Sequence, residues 1–325
     1  MLAGTAVVYN LTRSDLSVMI PSDLLNKSIR LTLLAMEKFP ENHQLHKNCF
    51  LTLCSDTVLH EAKFNCKQCC ELVFNGLIRF DDVHMKRMGV AIISILAAEI
   101  KTSELEDLAR DPVRVRCLLS YVAEKCLLIN DLKDTDGKTI EPSYLSKVPI
   151  RSEGPPIFDT TLRFTLSALW NLTDECFDAC IGFVNEGGLR IYEKVLKRFS
   201  DQDEEIKNHV YTKCLGLLIS YFAAGIMAHI SCVPEDVWVD KLGSVYTKDQ
   251  CCKLLGRVVC NWVSPESEMV AYRSFAPFEA LVIHEESRLE IQLWAVWAIN
   301  HILSKKVFKI LIGPRGNRNI FAHSS

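Results

Sequence analysis

The sequence predicts an all-α chain, and two observations carry the prediction. Apolar residues recur at three- and four-residue spacing through almost every segment, whereas sustained alternation with a period of two is nearly absent. Helical stretches rich in small residues also repeat: Ala6–Thr12 is echoed by Lys47–Ser55, Met88–Leu96, Phe164–Glu175, Tyr221–His229, Met269–Phe275 and Gln292–Ile299. The first echoes lie about 40 residues apart, the period of armadillo and HEAT units. The expected architecture is therefore an armadillo/HEAT-like α-solenoid, a right-handed superhelix of helical repeats. With 325 residues, 49% of them hydrophobic, the chain can bury a large core along such a stack.

In chain order, Ser22-Asp23-Leu24-Leu25 opens a helix after Pro21, with Ser22 or Asp23 as the expected N-cap, and the helix runs to Phe39-Pro40. Repeats continue to residue 303. One interruption is expected over 130–160, where Gly137, Pro142, Pro149, Gly154, Pro155 and Pro156 mark an exposed loop insertion. Phe183–Leu189, containing Gly187-Gly188, reads as a turn that starts the next helix, Leu189–Phe199. A second interruption is a seam at Tyr211–Phe222, where two helix beginnings run into one another. Residues 304–325 read as an irregular basic tail, so the last repeat lacks a polar cap.

Composition excludes several functions. A formal charge of -3, from 37 basic and 40 acidic residues, offers no electrostatic footprint for nucleic acid. No run of about 18 apolar residues spans a bilayer, and the N-terminus lacks a signal-peptide pattern, so neither a membrane nor secretion is expected. The expected location is the cytoplasm, with the nucleus as an addition. Most of the fourteen cysteines sit singly among apolar helical positions, as reduced thiols do. Cys66-Lys67-Gln68-Cys69-Cys70 is half of a zinc pattern without a second pair, so no metal or other cofactor is expected. No nucleophile or phosphate motif stands in its structural context, and the nine His residues are scattered. The chain reads as a binding scaffold, not an enzyme.

The most specific chemistry lies in Phe164-Thr165-Leu166-Ser167-Ala168-Leu169-Trp170-Asn171-Leu172-Thr173-Asp174-Glu175. Trp170 and Asp174 are four apart and Asn171 and Asp174 three apart, so on a helix all three project from one face. An indole, an amide and a carboxylate gathered there suit a small cation with hydrogen-bonding needs, such as a free α-amine. In the plainer alternative Trp170 fills core, Asn171 braces a turn and Asp174 ends the helix.

That run, together with Ala91–Ala98, Ser220–Ile226, Glu268–Phe275 and Gln292–Ala298, resembles the armadillo-like C-terminal domain of the Zyg-eleven and Zer-one proteins, over about residues 5–303. These are substrate receptors of cullin-two RING ubiquitin ligases. The resemblance implies that the domain binds protein N-termini beginning with glycine or another small residue and marks those proteins for degradation. In the implied roles Asp174 pairs with the α-ammonium, Asn171 bonds the first peptide unit, and Trp170 walls off room for a first side chain.

Two departures accompany the resemblance. Relatives continue Leu-Gly-Leu-Leu into Asn-Asn-Ile-Ala-Glu, which supplies the far wall of the pocket; here Leu215-Gly216-Leu217-Leu218 passes to Ile219-Ser220-Tyr221-Phe222-Ala223, as though one repeat were omitted. The elongin box, the leucine-rich repeats and the final capping helix pair of relatives have no counterpart, so a cullin-two–elongin ligase would be reached only through regions absent from this chain. A shortened form with weakened binding is the expectation. The alternative is a non-catalytic armadillo scaffold that binds internal peptide segments.

Overall fold

The computed structural model describes residues 2–12, 19–133, 142–157, 159–200, 210–242, 273, 275–283 and 289–304. Among these, fifteen α-helices form, and the β-type pairing is one isolated bridge between Leu128 and Arg151. The helices are α1 (Leu2–Thr12), α2 (Ser22–Lys38), α3 (His43–Leu53), α4 (Asp56–Glu61), α5 (Cys66–Arg79), α6 (Val83–Glu99), α7 (Thr102–Ala109) and α8 (Pro112–Cys126). They continue as α9 (Thr160–Thr173), α10 (Phe177–Asn185), α11 (Gly188–Ser200), α12 (Val210–Ser231), α13 (Glu235–Leu242), α14 (Ala276–Ile283) and α15 (Leu289–Ser304). The all-α class read from the three- and four-residue spacing is the class observed.

Local chemistry accounts for many helix starts. Asn42, Asn65, Asp82, Asp111 and Asp159 each stand one residue before a helix and accept a hydrogen bond from a backbone N–H of its first turn. Such caps satisfy donors that have no intrahelical partner. The start of α2 differs from expectation. Its N-cap is Pro21 and no side-chain cap bond forms; the N–H groups of Leu24 and Leu25 donate to the Pro21 carbonyl instead. Ser22 and Asp23 lie inside the first turn, where Asp23 still complements the helix dipole.

Several helices bury one stripe, while α6 and α9 are buried on all sides over part of their length. In α2 the buried set Leu25, Ile29, Thr32, Leu33 and Met36 follows helical spacing, and in α5 it is Cys69, Cys70, Val73, Phe74 and Leu77. Neighbour packs on neighbour: α6 lies between α5 and α9, and α9 packs also on α8 and α12. The turn expected near Gly187 is present, with φ of 77° at that glycine before α11 begins. Of the 130–160 stretch, the described residues form two short 3-10 turns (Ile129–Leu132 and Ser143–Lys147), with Leu145 buried and the Tyr144 hydroxyl donating to the Glu186 carbonyl. Residues 134–141, the 269–272 part of the fifth echo and the tail beyond Ser304 lie outside the described residues. The seam at Tyr211–Phe222 falls within one helix, α12, which runs from Val210 to Ser231.

The Cys-x-x-Cys stretch opens α5, where Cys69 and Cys70 are buried and Cys66 is half-buried. Among the described residues no group of three His, Cys, Asp or Glu side chains is placed to hold a metal ion. No helix among them is long and apolar enough to cross a membrane.

Candidate functional site

Eleven of the fourteen residues of helix α9 are buried, and it packs against α6, α8, α10 and α12. Asp159 caps it, accepting from the Leu162 N–H at 2.9 Å, and a buried pair of hydroxyls, Ser94 on α6 and Ser167 on α9, joins it to its neighbour at 2.6 Å. Trp170, Asn171 and Asp174 therefore lie in the interior at 0%, 1% and 2% exposure.

Trp170 is held by aromatic neighbours from α12. Tyr221 stacks on its ring at 5.4 Å between centroids, and Phe222 and His229 meet it edge-on at 6.2 and 5.1 Å. Gly225 permits this approach: a methyl group there would overlap the six-membered ring of the indole. Asn171 uses its Nδ2 to donate to the Ser94 carbonyl at 2.8 Å, which ties α9 to α6. The amide thus turns toward α6 while the indole turns toward α12.

Asp174 follows the last residue of α9 as its C-cap, its own N–H donating to the Trp170 carbonyl at 3.0 Å. Glu175 then takes a left-handed φ of 56°, the usual way to terminate a helix although glycine more often stands there. This turn aims the Asp174 carboxylate into a buried polar cluster. Its Oδ2 accepts the backbone N–H of Arg273 at 2.9 Å, and the Arg273 Nε lies 3.8 Å from the same oxygen. The guanidinium spends its other nitrogens on the carbonyls of Ile100 (2.7 Å) and Ala97 (2.5 Å), at the C-terminal end of α6. On the opposite side, Oδ1 faces the His229 Nε2 at 3.5 Å.

The electrostatics follow from burial. Desolvation pushes the Asp174 carboxyl up to about 7, against the pull of the Arg273 N–H and guanidinium. Desolvation, with Arg273 nearby, holds His229 down to about 3, so its imidazole is neutral. Thr173 Oγ1 lies 2.9 and 3.1 Å from the Leu169 and Trp170 carbonyls and 3.0 Å from His229 Nδ1, where the imidazole tautomer sets which group donates. Neither His229 Nε2 nor Arg273 Nε has a hydrogen-bond partner.

Two members of this cluster carried no distinguishing mark in the sequence. His229 is one scattered histidine among nine, and Arg273 sits 99 positions from the carboxylate it contacts. Only the recurrence of small-residue helices, which includes Tyr221–His229 and Met269–Phe275, hinted that these stretches pack together.

Comparison with known proteins fixes the family. The family model described as "Protein zer-1 homolog-like, C-terminal domain" matches residues 1–218 and 213–311. The two matched segments overlap at 213–218, inside α12 and within the seam read from the sequence. "Protein zer-1 homolog" of Mus musculus is 24% identical over 334 residues, covering 93% of this chain and 38% of the relative. "Zyg eleven-related protein 1" of Caenorhabditis elegans is 22% identical over 330 residues, covering 93% of this chain and 33% of the relative. A shorter match, 28% over 145 residues, is to the HEAT/armadillo-type "Cullin-associated NEDD8-dissociated protein 1" of Arabidopsis thaliana, and it fits an α-solenoid. The chain spans less than two fifths of the length of its mouse and nematode relatives. With matched segments that run through nearly all of its length, this chain belongs to the zer-1 homolog-like C-terminal domain family.

Proposed function

We propose that this chain is the substrate-recognition part of a cullin-two RING ubiquitin ligase receptor, non-enzymatic in itself, acting in the cytoplasm or nucleus. Its ligand is the free α-amine of a protein that begins with glycine or another small residue. Asp174 pairs with the ammonium, Asn171 braces the site against α6, and Trp170 fills the space a first side chain would need. One observation carries the reading: a carboxylate at 2% exposure already accepts a peptide N–H, that of Arg273, at 2.9 Å. An N–H donor is the group a peptide N-terminus would present, and a desolvated carboxylate binds it more strongly than an exposed one. Family membership supports the same reading. The elongin and cullin contacts belong to regions beyond this chain, and the departure from relatives at Leu215–Ala223 is the ground for a weakened pocket.

The test is calorimetric titration of a Gly-initiated peptide against the wild-type chain and Asp174→Ala. Removing one partner of a buried charge pair costs on the order of 2–5 kcal/mol, so binding should vanish in the variant. Equal signals from both proteins would sink the reading. The deep burial of Trp170, Asn171 and Asp174 favours a second reading, a scaffold that takes internal peptide segments elsewhere on the solenoid. N-terminal acetylation separates the two: amine recognition is lost, whereas segment binding is indifferent.

A further inference from the structure

The row of helices that includes α9 has two ends, and both are patterned as interior helices are. Among the described residues α1 packs on α3, α3 on α6, α6 on α9, α9 on α12, α12 on α14 and α14 on α15. A helix inside this row has a neighbour on either side, which is why α6 and α9 are buried all round over part of their length. Helices α1 and α15 each pack on one neighbour in the row. A solenoid that stops at such a helix turns a polar face outward.

Both ends depart from that rule. Helix α1 turns its threonines inward: Thr5 and Thr12 are buried, Asn48 Nδ2 donating to Thr5 Oγ1 at 3.2 Å and Ser55 Oγ to the Thr12 carbonyl at 2.8 Å. Val7 and Leu11, one turn apart on the opposite side, are 55% and 46% exposed. Ala3 and Gly4 share that side, and nothing lies within 4 Å of a methyl group placed on Gly4, so another helix could approach closely. At the other end α15 buries Ala295 and Ala298 and exposes Leu289, Leu293, Val296 and Leu303 in one stripe. A helix apolar on several sides belongs between two others. Each end therefore lacks a neighbour that its sequence is suited to meet.

We propose that a second copy of this chain is that neighbour, the α15 stripe of one copy seating on the Val7–Leu11 side of α1 in the next. Every junction within the row joins the onward side of one helix to the backward side of the following one. The open side of α15 faces onward and that of α1 faces backward, so a head-to-tail contact extends the row as its internal junctions do. Pairing α1 with α1, or α15 with α15, would not. The contact is heterologous and leaves one open side of each kind on a dimer, so association does not stop at two copies. It is independent of the amine-binding reading, since Trp170, Asn171 and Asp174 lie in the middle of the row.

Sedimentation of the 325-residue chain tests this. Over about 1 to 100 µM, a range suited to a contact smaller than a standard interface, the mean mass should rise with concentration. Val7→Glu with Leu11→Glu blocks one end, and Leu293→Glu with Val296→Glu blocks the other. These four side chains are 46% to 57% exposed, so the folded chain should accept the charges, with circular dichroism melts as the check. The single substitutions Leu11→Glu and Leu293→Glu repeat the experiment if a pair lowers the melting temperature. Each blocked chain alone is expected to stay monomeric, whereas an equal mixture of the two forms dimers and nothing larger, because one open side of each kind remains. A wild type that is monomeric throughout overturns the proposal and leaves both ends to a different protein. Wild-type association by either blocked chain alone also overturns it, in favour of pairing between like ends, and so does a mixture that stays monomeric.

Discussion

Asp174 and His229 titrate in opposite senses, and the pair gives the site its pH behaviour. The folded Asp174 carboxyl, pushed up from 3.8 to about 7, keeps a proton that the unfolded chain has released, so its contribution lowers stability as pH rises from about 4 to 7. The folded His229, held down from 6.5 to about 3, refuses a proton that the unfolded chain accepts, so its contribution lowers stability as pH falls from 6.5 to 3. Between pH 4 and 6.5 the two slopes oppose one another. Asp174→Asn removes the first. Urea denaturation of both proteins at several pH values should show the variant gaining on wild type as pH rises from 4 to 7, by up to about 1.4 kcal/mol per pH unit, and no further change above 8. A difference that does not vary with pH would place the Asp174 carboxyl in the ordinary carboxylate range. The sequence made Asp174 legible as a candidate because its spacing from Trp170 and Asn171 is local. Its partners were not legible, since nothing within one helix says what a carboxylate at its end will face.

At the scale of the element, the α9–α12 contact is the joint on which the site depends. Trp170 contributes the bulk and Gly225 the absence of bulk, so the two helices approach as closely as an indole lying on backbone allows. Gly225→Ala places a methyl where ring carbons already lie. Overpacking of a full core costs about 1–3 kcal/mol, and this overlap belongs at the upper end. Pairing it with Trp170→Phe, which removes the clashing ring atoms, should return part of the loss. Thermal unfolding of the two single variants and the double variant measures the coupling; strictly additive losses would show that the residues do not share this space. The helices themselves were legible in advance. Their caps were less so: Ser22 or Asp23 is the cap expected from the sequence, whereas in the structure Asn42, Asn65, Asp82, Asp111 and Asp159 each cap a helix start. Pro21 is the exception. A cap depends on whether the side chain turns back to the first-turn N–H groups, and at α2 the proline carbonyl takes those bonds first.

For the whole molecule, stability is spread along the stack, each helix leaning on its neighbours. The cysteines report on that burial. Desolvation pushes the thiols of Cys49 and Cys126 up to about 12, and those of Cys69 and Cys70 are raised as well. A thiol so placed holds almost no thiolate at neutral pH and is a poor nucleophile. Iodoacetamide at pH 7.5 should leave these four cysteines unlabelled in the folded protein and label them once urea unfolds it, as peptide mapping would show. Rapid labelling of Cys69 and Cys70 in the native state would mean that the start of α5 is open. At the far end, α15 leaves Leu289, Leu293, Val296 and Leu303 exposed, a stripe at helical spacing.

What the sequence determined by itself is what short-range physics determines: the helical class from a spacing of three and four, the solenoid from its recurrence, and the candidate trio from positions on one turn. The tertiary structure alone decided which groups meet the Asp174 carboxylate. Arg273 lies 99 residues away and His229 on a helix that a local reading treats as core. Contacts between distant segments depend on how the helices stack and on which side chains are small enough to let them close. Gly225 set that distance for α9 and α12, and with it the place of His229 opposite Asp174.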